Sequence, residues 1–203
     1  QHKLAMRQRL TDLGLPCPRW RAATSADDVE AFGAEVGWPV IAKVPVGGYD
    51  GKGVAVISTA AEVADWLARG PVLLEEKVAF TRELAVLLAR SPSGQAAAWP
   101  VVETVQEDGF CTGVIAPAPR LDPGLAAAAT AAGLRIAGEL GVTGVLAVEI
   151  FETADGFVIN ELAMRPHNSG HWSMDGAVPD QFEQHLRAVL DLPIEHKTSK
   201  EIS

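Results

Sequence analysis

The chain has 203 residues, of which 48% are hydrophobic and 21% charged, and its 17 basic and 26 acidic side chains give a net charge of −9 at pH 7. This composition fits one globular unit or two small lobes, stable without disulfides or structural metals. The acidic balance gives no electrostatic reason to bind nucleic acid or an anionic membrane. Cys17 and Cys111 are far apart in the sequence, no apolar run approaches the roughly 20 residues of a membrane span, and no signal peptide opens the chain. We therefore expect a soluble, cytoplasmic protein.

The first half of the chain has the pattern of a small α/β lobe. Helices are predicted over 4–13, 25–36 and 59–68, and strands over 19–23, 39–44, 54–58 and 72–76. Ser25 with Asp28, and Thr59 with Glu62, have the spacing of a capping box, in which the first side chain caps the helix and the second bonds back to it.

The second half has longer strands and hairpin signals. Strands are predicted over 83–90, 95–105, 110–116, 144–152 and 157–162, and helices over 123–140 and 179–190. The turn at 91–94 and the Asp108-Gly109 pair favour hairpins, and Asp122 before Pro123 is typical of a helix start. Long hairpins with few helices predict an antiparallel sheet.

A glycine-rich segment separates two predicted strands of the first lobe. Four of the seven residues 47–53 are glycine, and Lys52 and Lys43 lie in and before the segment. Glycines let the backbone approach a ligand and direct N–H groups at phosphate oxygens, and the lysines could neutralise their charge. The segment is not a Walker loop, because it lacks Gly-Lys-Ser/Thr and no helix follows. An ordinary glycine-rich hairpin loop is the alternative.

Two carboxylates, Glu149 and Glu161, flank a predicted tight turn at Asp155-Gly156. The turn places Glu149 opposite either Glu161 or Asn160, and a shift of one residue decides which. Two carboxylates on one face repel unless a cation lies between them, and Mg²⁺ is the hard ion that prefers such ligands. A solvated pair at a sheet edge is the alternative, which the apolar run around Glu149 disfavours.

A polar cluster directly follows the Glu161 strand and contains Arg165, His167, Asn168 and His171. Arginine can bind a planar carboxylate or phosphate with two donors, and Asn and His can donate beside it. A zinc site formed by His167 and His171 would need a helix, which Pro166 and the glycine at 170 disfavour, so a structural role is expected for His171.

Three segments together resemble the ATP-grasp enzymes, and among them the 5-(carboxyamino)imidazole ribonucleotide synthases. They are the glycine-rich segment 47–53, Leu-Glu-Glu-Lys-Val at 74–78, and Asn-Glu-Leu-Ala-Met-Arg-Pro-His-Asn-Ser-Gly-His-Trp at 160–172. The resemblance extends over 1–193 and implies an α+β ATP-grasp fold, with two α/β lobes and a nucleotide cleft between them. It implies an N-terminal lobe over 1–78, a C-terminal lobe over 79–194, and a tail over 195–203 that does not continue the family pattern. Family members also have a leading α/β domain and a small trailing β domain, so we expect a segment of a longer protein.

The resemblance implies ligase chemistry with ATP, Mg²⁺, bicarbonate and 5-aminoimidazole ribonucleotide as ligands and substrates. It assigns Mg²⁺ to Glu149 and Glu161, and bicarbonate and carboxyphosphate to Arg165, His167 and Asn168. The residues that it assigns to nucleotide binding are Lys3, Lys43, Gly48, Tyr49, Asp50, Gly51, Lys52, Gly53, Val54, Glu75, Glu76, Lys77, Val78, Glu83, Gln106, Asn160 and Glu161. Tyr49 and Asp50 would also lie near the imidazole substrate. Lys3 stands where the family usually has Arg, and Gln106 where some members have His.

Two other functions fit the same residues. Another ATP-grasp ligase could use this ATP and Mg²⁺ scaffold on a different carboxylate. An isolated nucleotide-binding module without turnover would follow if the flanking domains are required. The resemblance also suggests a homodimer.

Overall fold

The structure is a computed structural model that describes residues 2–47, 53–107 and 110–194. The chain divides into two units, the first built on Gln1–Ala79 and the second on Phe80–Glu107 and Cys111–Ser203. The domain boundaries predicted at 78 and 194 stay predictions.

The first unit contains a four-stranded antiparallel sheet. Its elements are α1 (Lys3–Asp12), β1 (Trp20–Ala23), α2 (Ala26–Val36), β2 (Val40–Lys43), β3 (Val54–Ile57), a 3₁₀ helix (Ala60–Val63), α3 (Ala64–Leu67) and β4 (Val72–Glu76). The strand order is β1-β4-β2-β3. Both capping boxes are confirmed, at Ser25 with Asp28 and at Thr59 with Glu62. The second one opens a 3₁₀ turn before the α-helix, where we predicted one continuous helix.

The sheet of the first unit is covered differently on its two faces. Ala42 and Leu74 pack into an apolar core with Phe32 of α2. Since successive side chains of a strand point to opposite faces, their neighbours Lys43 and Glu75 lie on the other face of β2 and β4. That face therefore carries buried charge.

The second unit contains a six-stranded sheet and four helical segments. Its elements are β5 (Arg82–Arg90), β6 (Ala96–Ala98), β7 (Val102–Glu107), β8 (Phe110–Ile115), α4 (Pro123–Glu139), β9 (Gly144–Thr153), β10 (Gly156–Ala163), a 3₁₀ helix (Asn168–Gly170), α5 (Ser173–Gly176) and α6 (Gln181–Val189). The order is β10-β9-β5-β7-β8, and β6 pairs with β5.

Three predictions for this unit need correction. The strand predicted over 95–105 is two short strands, β6 and β7, separated by a segment containing Pro100, which has no N–H for a ladder. The predicted helix 179–190 begins at Gln181, because Asp180 is its N-cap and bonds the first free N–H groups. The segment after Glu161 is not wholly irregular, because it contains a 3₁₀ turn and the short α5.

The two faces of the second sheet have different partners. On one face α4 approaches so closely that a Cβ on Gly133 would lie 2.9 Å from Leu88 Cδ2. On the other face Leu87 and Ala147 pack with Ala188 of α6. Among the helices of residues 2–47, 53–107 and 110–194, none combines the length and apolarity needed to cross a bilayer.

Candidate functional site

The hairpin of β9 and β10 aligns the two predicted metal carboxylates. Glu161 pairs with Glu149, whereas Ile159 pairs with Ile150, so Asn160 is the extra residue of a β-bulge. Directly opposed residues of an antiparallel pair project from the same face. Of the two registers that the sequence left open, the structure has Glu161 opposite Glu149.

The bulge also brings Asn160 to the same carboxylate. Asn160 Nδ2 donates to Glu149 Oε2 at 3.5 Å. The Glu149 side chain is 25% exposed, although the residues on either side of it in β9 are buried. The carboxylate is therefore accessible at a position where the surrounding strand is apolar.

His167 contacts Glu149 from the loop after β10. Its Nε2 lies 3.2 Å from Glu149 Oε1, and its Nδ1 accepts the backbone N–H of Ser169. Because a backbone N–H can only donate, the proton of the neutral ring lies on Nε2, and Nε2 donates to the carboxylate. The imidazole thus presents a donor at the edge of the carboxylate pair.

Glu83 and Gln106 lie on the same face of the sheet as Glu149. Ala85 pairs with Glu149 and Glu83 pairs with Phe151, so Glu83 shares a face with Glu149 by strand alternation. Thr104 pairs with Glu83, and Gln106 lies two residues further along β7. Burial raises the pKa of the Cys111 thiol, a bond to the Gly113 carbonyl lowers it, and the carboxylates of Glu149 and Glu83 raise it by smaller amounts.

The other members of the polar cluster have different positions. Arg165 is exposed and its Nη1 donates to the Pro166 carbonyl at 2.9 Å. Asn168 is exposed and begins the 3₁₀ turn. In the part of the chain that the structure describes, His167 is therefore the one predicted catalytic residue that pairs with Glu149. His171 is exposed, with its ring centroid 6.1 Å from that of Phe182, and within the described ranges no group of three or more His, Cys, Asp or Glu is arranged around a metal.

A second charged cluster lies in the first unit. Glu75 accepts from Arg7 Nε through Oε1, and its Oε2 lies 2.8 Å from Lys43 Nζ. Arg7 is fully buried, and the Glu75 side chain is 3% exposed. Burial opposes ionisation of Glu75, but Lys43 and Arg7 outweigh it, so the pKa of the Glu75 carboxyl is lowered.

The remaining predicted nucleotide residues of the first unit lie around β2 and β4. Glu76 accepts from Arg19 Nε at 2.7 Å, and Lys77 and Val78 follow the end of β4. Lys3 is buried, and its backbone N–H donates to the Pro45 carbonyl at 2.9 Å. These positions are all in the same unit as the Arg7–Glu75–Lys43 cluster.

The ends of the glycine-rich segment are described, but its centre is not. Val44 N–H donates to the Gly53 carbonyl at 2.8 Å, next to Val54, which pairs with Lys43. Gly53 has φ 77° and Gly47 has φ 84°, in the left-handed region that favours glycine. The predicted residues Gly48, Tyr49, Asp50, Gly51 and Lys52 lie outside the described residues.

Sequence reasoning missed Arg7 and Gln181. Arg7 lies at helical spacing from Lys3 and Leu10, and all three are buried. This spacing is the sequence signal that could have placed Arg7 on the inner face of α1. Gln181 is also fully buried and contacts the backbone of His167. In the sequence, the position of Gln181 directly after Asp180 indicates only that a helix begins there.

A family model decides the identity of this arrangement. The model of the ATP-grasp domain matches residues 8–182. The chain belongs to the ATP-grasp family. The predicted α+β ATP-grasp fold class is thereby confirmed.

This ATP-grasp chain is similar to named relatives and solved structures. It is 56% identical over 200 residues to the N5-carboxyaminoimidazole ribonucleotide synthase of Mycobacterium bovis, covering 96% of this chain and 47% of the relative. A crystal structure of an ADP complex of an N5-carboxyaminoimidazole ribonucleotide synthetase matches with a TM-score of 0.90 at 36% identity, covering 98% of this chain and 54% of that one. The Aspergillus clavatus synthase in complex with ADP and 5-aminoimidazole ribonucleotide matches with a TM-score of 0.85 at 29% identity, covering 96% and 52%. The chain therefore spans about half the length of these proteins.

Proposed function

We propose that this ATP-grasp chain is the ATP-binding core of an ATP-dependent carbon–nitrogen ligase that carboxylates 5-aminoimidazole ribonucleotide. In the proposed reaction the terminal phosphoryl group of ATP passes to bicarbonate, giving carboxyphosphate and ADP. The carboxyl group of carboxyphosphate then passes to the amine of the ribonucleotide, giving N5-carboxyaminoimidazole ribonucleotide and phosphate. The product is the one named in the relative that is 56% identical to this chain.

The observation that carries the proposal is the contact of His167 with Glu149 opposite Glu161. Two carboxylates and an imidazole N–H donor meet where β9 and β10 pair. Such a site can hold a cation beside the carboxylates, and the His167 N–H, which donates to Glu149 here, would be free to donate to an anion when a cation takes that carboxylate. Preorganised donors of this kind stabilise negative charge that develops during phosphoryl and carboxyl transfer.

The oxygen donors fit Mg²⁺. Glu149 and Glu161 supply carboxylates from one face, and the bulge brings the Asn160 amide beside them. Magnesium in nucleotide sites is held by one or two carboxylates together with substrate phosphates rather than by an all-protein cage. When bound, Mg²⁺ would neutralise the phosphate charge of ATP, and Glu149 and Glu161 would hold it.

In the first unit, Lys43 is the residue proposed for the ATP phosphates. Its ammonium is paired with Glu75 in a buried setting, which fixes its direction. An ammonium has three donors, so one bond to Glu75 is compatible with another to a phosphate oxygen. The carboxylates of Glu75 and Glu76 already bind Arg7 and Arg19. We therefore propose that the backbone at 75–78, and not these side chains, recognises adenine. The other assignments, from Lys3, the segment 48–54, Glu83, Gln106, Arg165 and Asn168, stay predictions.

Calorimetry with ATP in the presence and absence of Mg²⁺ tests the metal site. We expect Glu149→Ala and Glu161→Ala to abolish the Mg²⁺-dependent part of ATP binding. Asp155→Ala, at the exposed turn between the same strands, is the matched control and should bind like the unaltered chain. ATP binding that is indifferent to both glutamate changes would show that the metal assignment is wrong.

Turnover assays test the substrate. Bicarbonate-dependent ATP hydrolysis stimulated by 5-aminoimidazole ribonucleotide would support the proposal, and stimulation by another acid or amine would favour a different ATP-grasp ligase. ATP binding without hydrolysis would favour an isolated nucleotide-binding module. This alternative is considered because the chain matches only about half the length of each relative. The cytoplasmic location and the homodimer stay predictions.

A further inference from the structure

The backbone of His167 is held by one buried side chain of helix α6. The His167 N–H donates to Gln181 Oε1 at 2.8 Å, and Gln181 Nε2 donates to the His167 carbonyl at 3.0 Å. Gln181 is fully buried. A primary amide that bonds both backbone groups of one residue acts as a strand partner would, and it restricts the rotation of that residue.

Gln181 is itself fixed by a second buried side chain. Its backbone N–H donates to Ser173 Oγ at 2.9 Å, and Ser173 Oγ donates to the Gly170 carbonyl at 2.6 Å. Asp180 Oδ1 accepts the next two N–H groups of the helix, at 2.8 and 2.9 Å. The start of α6 and the loop 167–170 are therefore joined through the buried Ser173 hydroxyl and the part-buried Gln181 amide, and hydrogen bonds in such places are costly to break.

Gly170 shows how closely the loop presses on this amide. A Cβ at Gly170 would lie 2.4 Å from Gln181 Oε1 and 2.6 Å from Leu87 Cδ2. Any residue other than glycine would push the amide or the loop away. The contact thus requires both the glycine of the loop and the glutamine of the helix.

The orientation of α6 is unusual for a surface helix and favours the same role. Its buried residues are Gln181, Gln184 and Ala188. Phe182 and Leu186, by contrast, are 43% and 60% exposed. The buried face of α6 therefore carries two glutamines beside Ala188, and the contacts of Gln181 with the loop lie on that face.

The imidazole of His167 continues this chain of contacts to the carboxylates. Its Nδ1 bonds Ser169 Oγ at 2.9 Å, and Ser169 is fully buried. Its Nε2 reaches Glu149 Oε1 at 3.2 Å. With the backbone held by Gln181 and one ring nitrogen by Ser169, the direction of the Nε2–H bond is determined.

We infer that Gln181 is a positioning residue, which aims the Nε2–H donor of His167 at the Glu149 side of the site. The effect on activity rests on the proposed function, in which the His167 donor would stabilise an anion beside the carboxylates. A group that orients a site residue through buried hydrogen bonds typically changes activity about 10- to 100-fold when removed.

The test is the ¹H–¹³C NMR spectrum of the histidine rings in the 203-residue chain. The His167 resonance is assigned by its loss in His167→Gln. We expect Gln181→Met, which keeps the volume and removes both bonds, to shift or broaden that resonance. Gln184→Met is the matched control, since Gln184 is buried on the same helix, and it should leave the His167 resonance in place.

His185 reports whether α6 itself is intact. Its Nδ1 accepts the Val145 N–H at 3.0 Å, so its resonance moves if the helix leaves the sheet. A Gln181→Met chain with both resonances unchanged would overturn the inference. If the His185 resonance is lost as well, Gln181→Asn, a neutral amide too short to bond both backbone groups of His167, is measured instead. Loss of both resonances in that variant too would show that Gln181 holds the helix rather than His167.

The spectrum does not depend on turnover. Failure of the proposed function would appear as absence of bicarbonate-dependent ATP hydrolysis in the unaltered chain, with the dependence of the His167 resonance on Gln181 still present. Where the chain does hydrolyse ATP, Gln181→Met should lower kcat by about tenfold or more, with the KM for ATP changed less than the KM for bicarbonate. An equal rise in both KM values would contradict a role at His167.

Discussion

In the first unit the Glu75 carboxylate lies between Arg7 and Lys43 and is 3% exposed, whereas in the second unit Glu149 is 25% exposed and has an amide and an imidazole beside it. Within the described residues, the charge of Glu75 is paired with two buried cations, whereas Glu149 has no Lys or Arg partner. A buried ion cluster of the first kind is costly to break. A carboxylate of the second kind can take up a cation with little loss of existing contacts. The two clusters are therefore expected to differ in how much stability is lost when their central carboxylate is removed.

The largest expected effect on the free energy of unfolding comes from removing the central carboxylate of the first cluster. Glu75→Ala leaves Arg7 and Lys43 buried without their shared anion, and we expect a loss of about 3–5 kcal/mol. Hydrogen exchange of the β2 and β4 amides measures it within the first unit. Glu76→Ala is the control, because its partner Arg19 is 56% exposed, and such pairs contribute at most about 1 kcal/mol. Equal losses in the two variants would contradict the comparison.

The pH dependence of the same cluster is the next effect in size. The folded-state pKa of Glu75 is lowered from 4.5, so its contribution to stability is present above 4.5 and is lost as the pH falls through the folded-state value. The stability difference between the unaltered chain and Glu75→Gln should be constant above about pH 6 and shrink below 4.5. Urea unfolding across this range measures the difference. A difference that grows on acidification would have the wrong sign.

Local signals in the sequence were sufficient for most of the fold. The capping boxes at Ser25 and Thr59 and the turn at Gly156 mark element ends by chemistry that acts within a few residues, so they could be predicted. Pro100 could have marked the break between β6 and β7 by the same reasoning, because its missing N–H is also a local property.

The site was less predictable, because its contacts join distant residues. The bulge at Asn160 changes the register by one residue, and alternation of apolar side chains does not reveal it. Arg7 and Gln181 are polar residues whose burial depends on partners 68 and 14 residues away. Charge and polarity favour a solvent-facing position for both, and the helical spacing of Arg7 from Leu10 is a sequence signal for the inner face of α1 at Arg7 alone.

An intermediate loss is expected from crowding the loop that supports the second cluster. Gly170→Ala places a Cβ 2.4 Å from Gln181 Oε1, and overpacking of this kind costs about 1–3 kcal/mol. Gly138→Ala in α4 is the control, since a Cβ there meets nothing within 4 Å and should be neutral or stabilising by up to about 1 kcal/mol. Thermal unfolding compares the two. A Gly170→Ala chain as stable as the Gly138→Ala chain would show that the loop yields easily and that Gln181 does not hold it tightly.

The smallest effect on stability is expected at Glu149, where we expect a large effect on ATP binding. Glu149→Gln removes one of two opposed carboxylates, so we expect a change within about 1 kcal/mol together with a loss of Mg²⁺-dependent ATP affinity of about tenfold or more. Glu152→Gln on the same strand should behave in the opposite way. Glu152 accepts from Arg82 Nε, and both side chains are at most 20% exposed, so its loss should cost more stability and leave ATP binding unchanged. Urea unfolding and calorimetry on both variants separate the two quantities. If Glu149→Gln proved the more destabilising of the two, Glu149 would belong with Glu75 as a structural carboxylate, and the contrast between the clusters would be wrong.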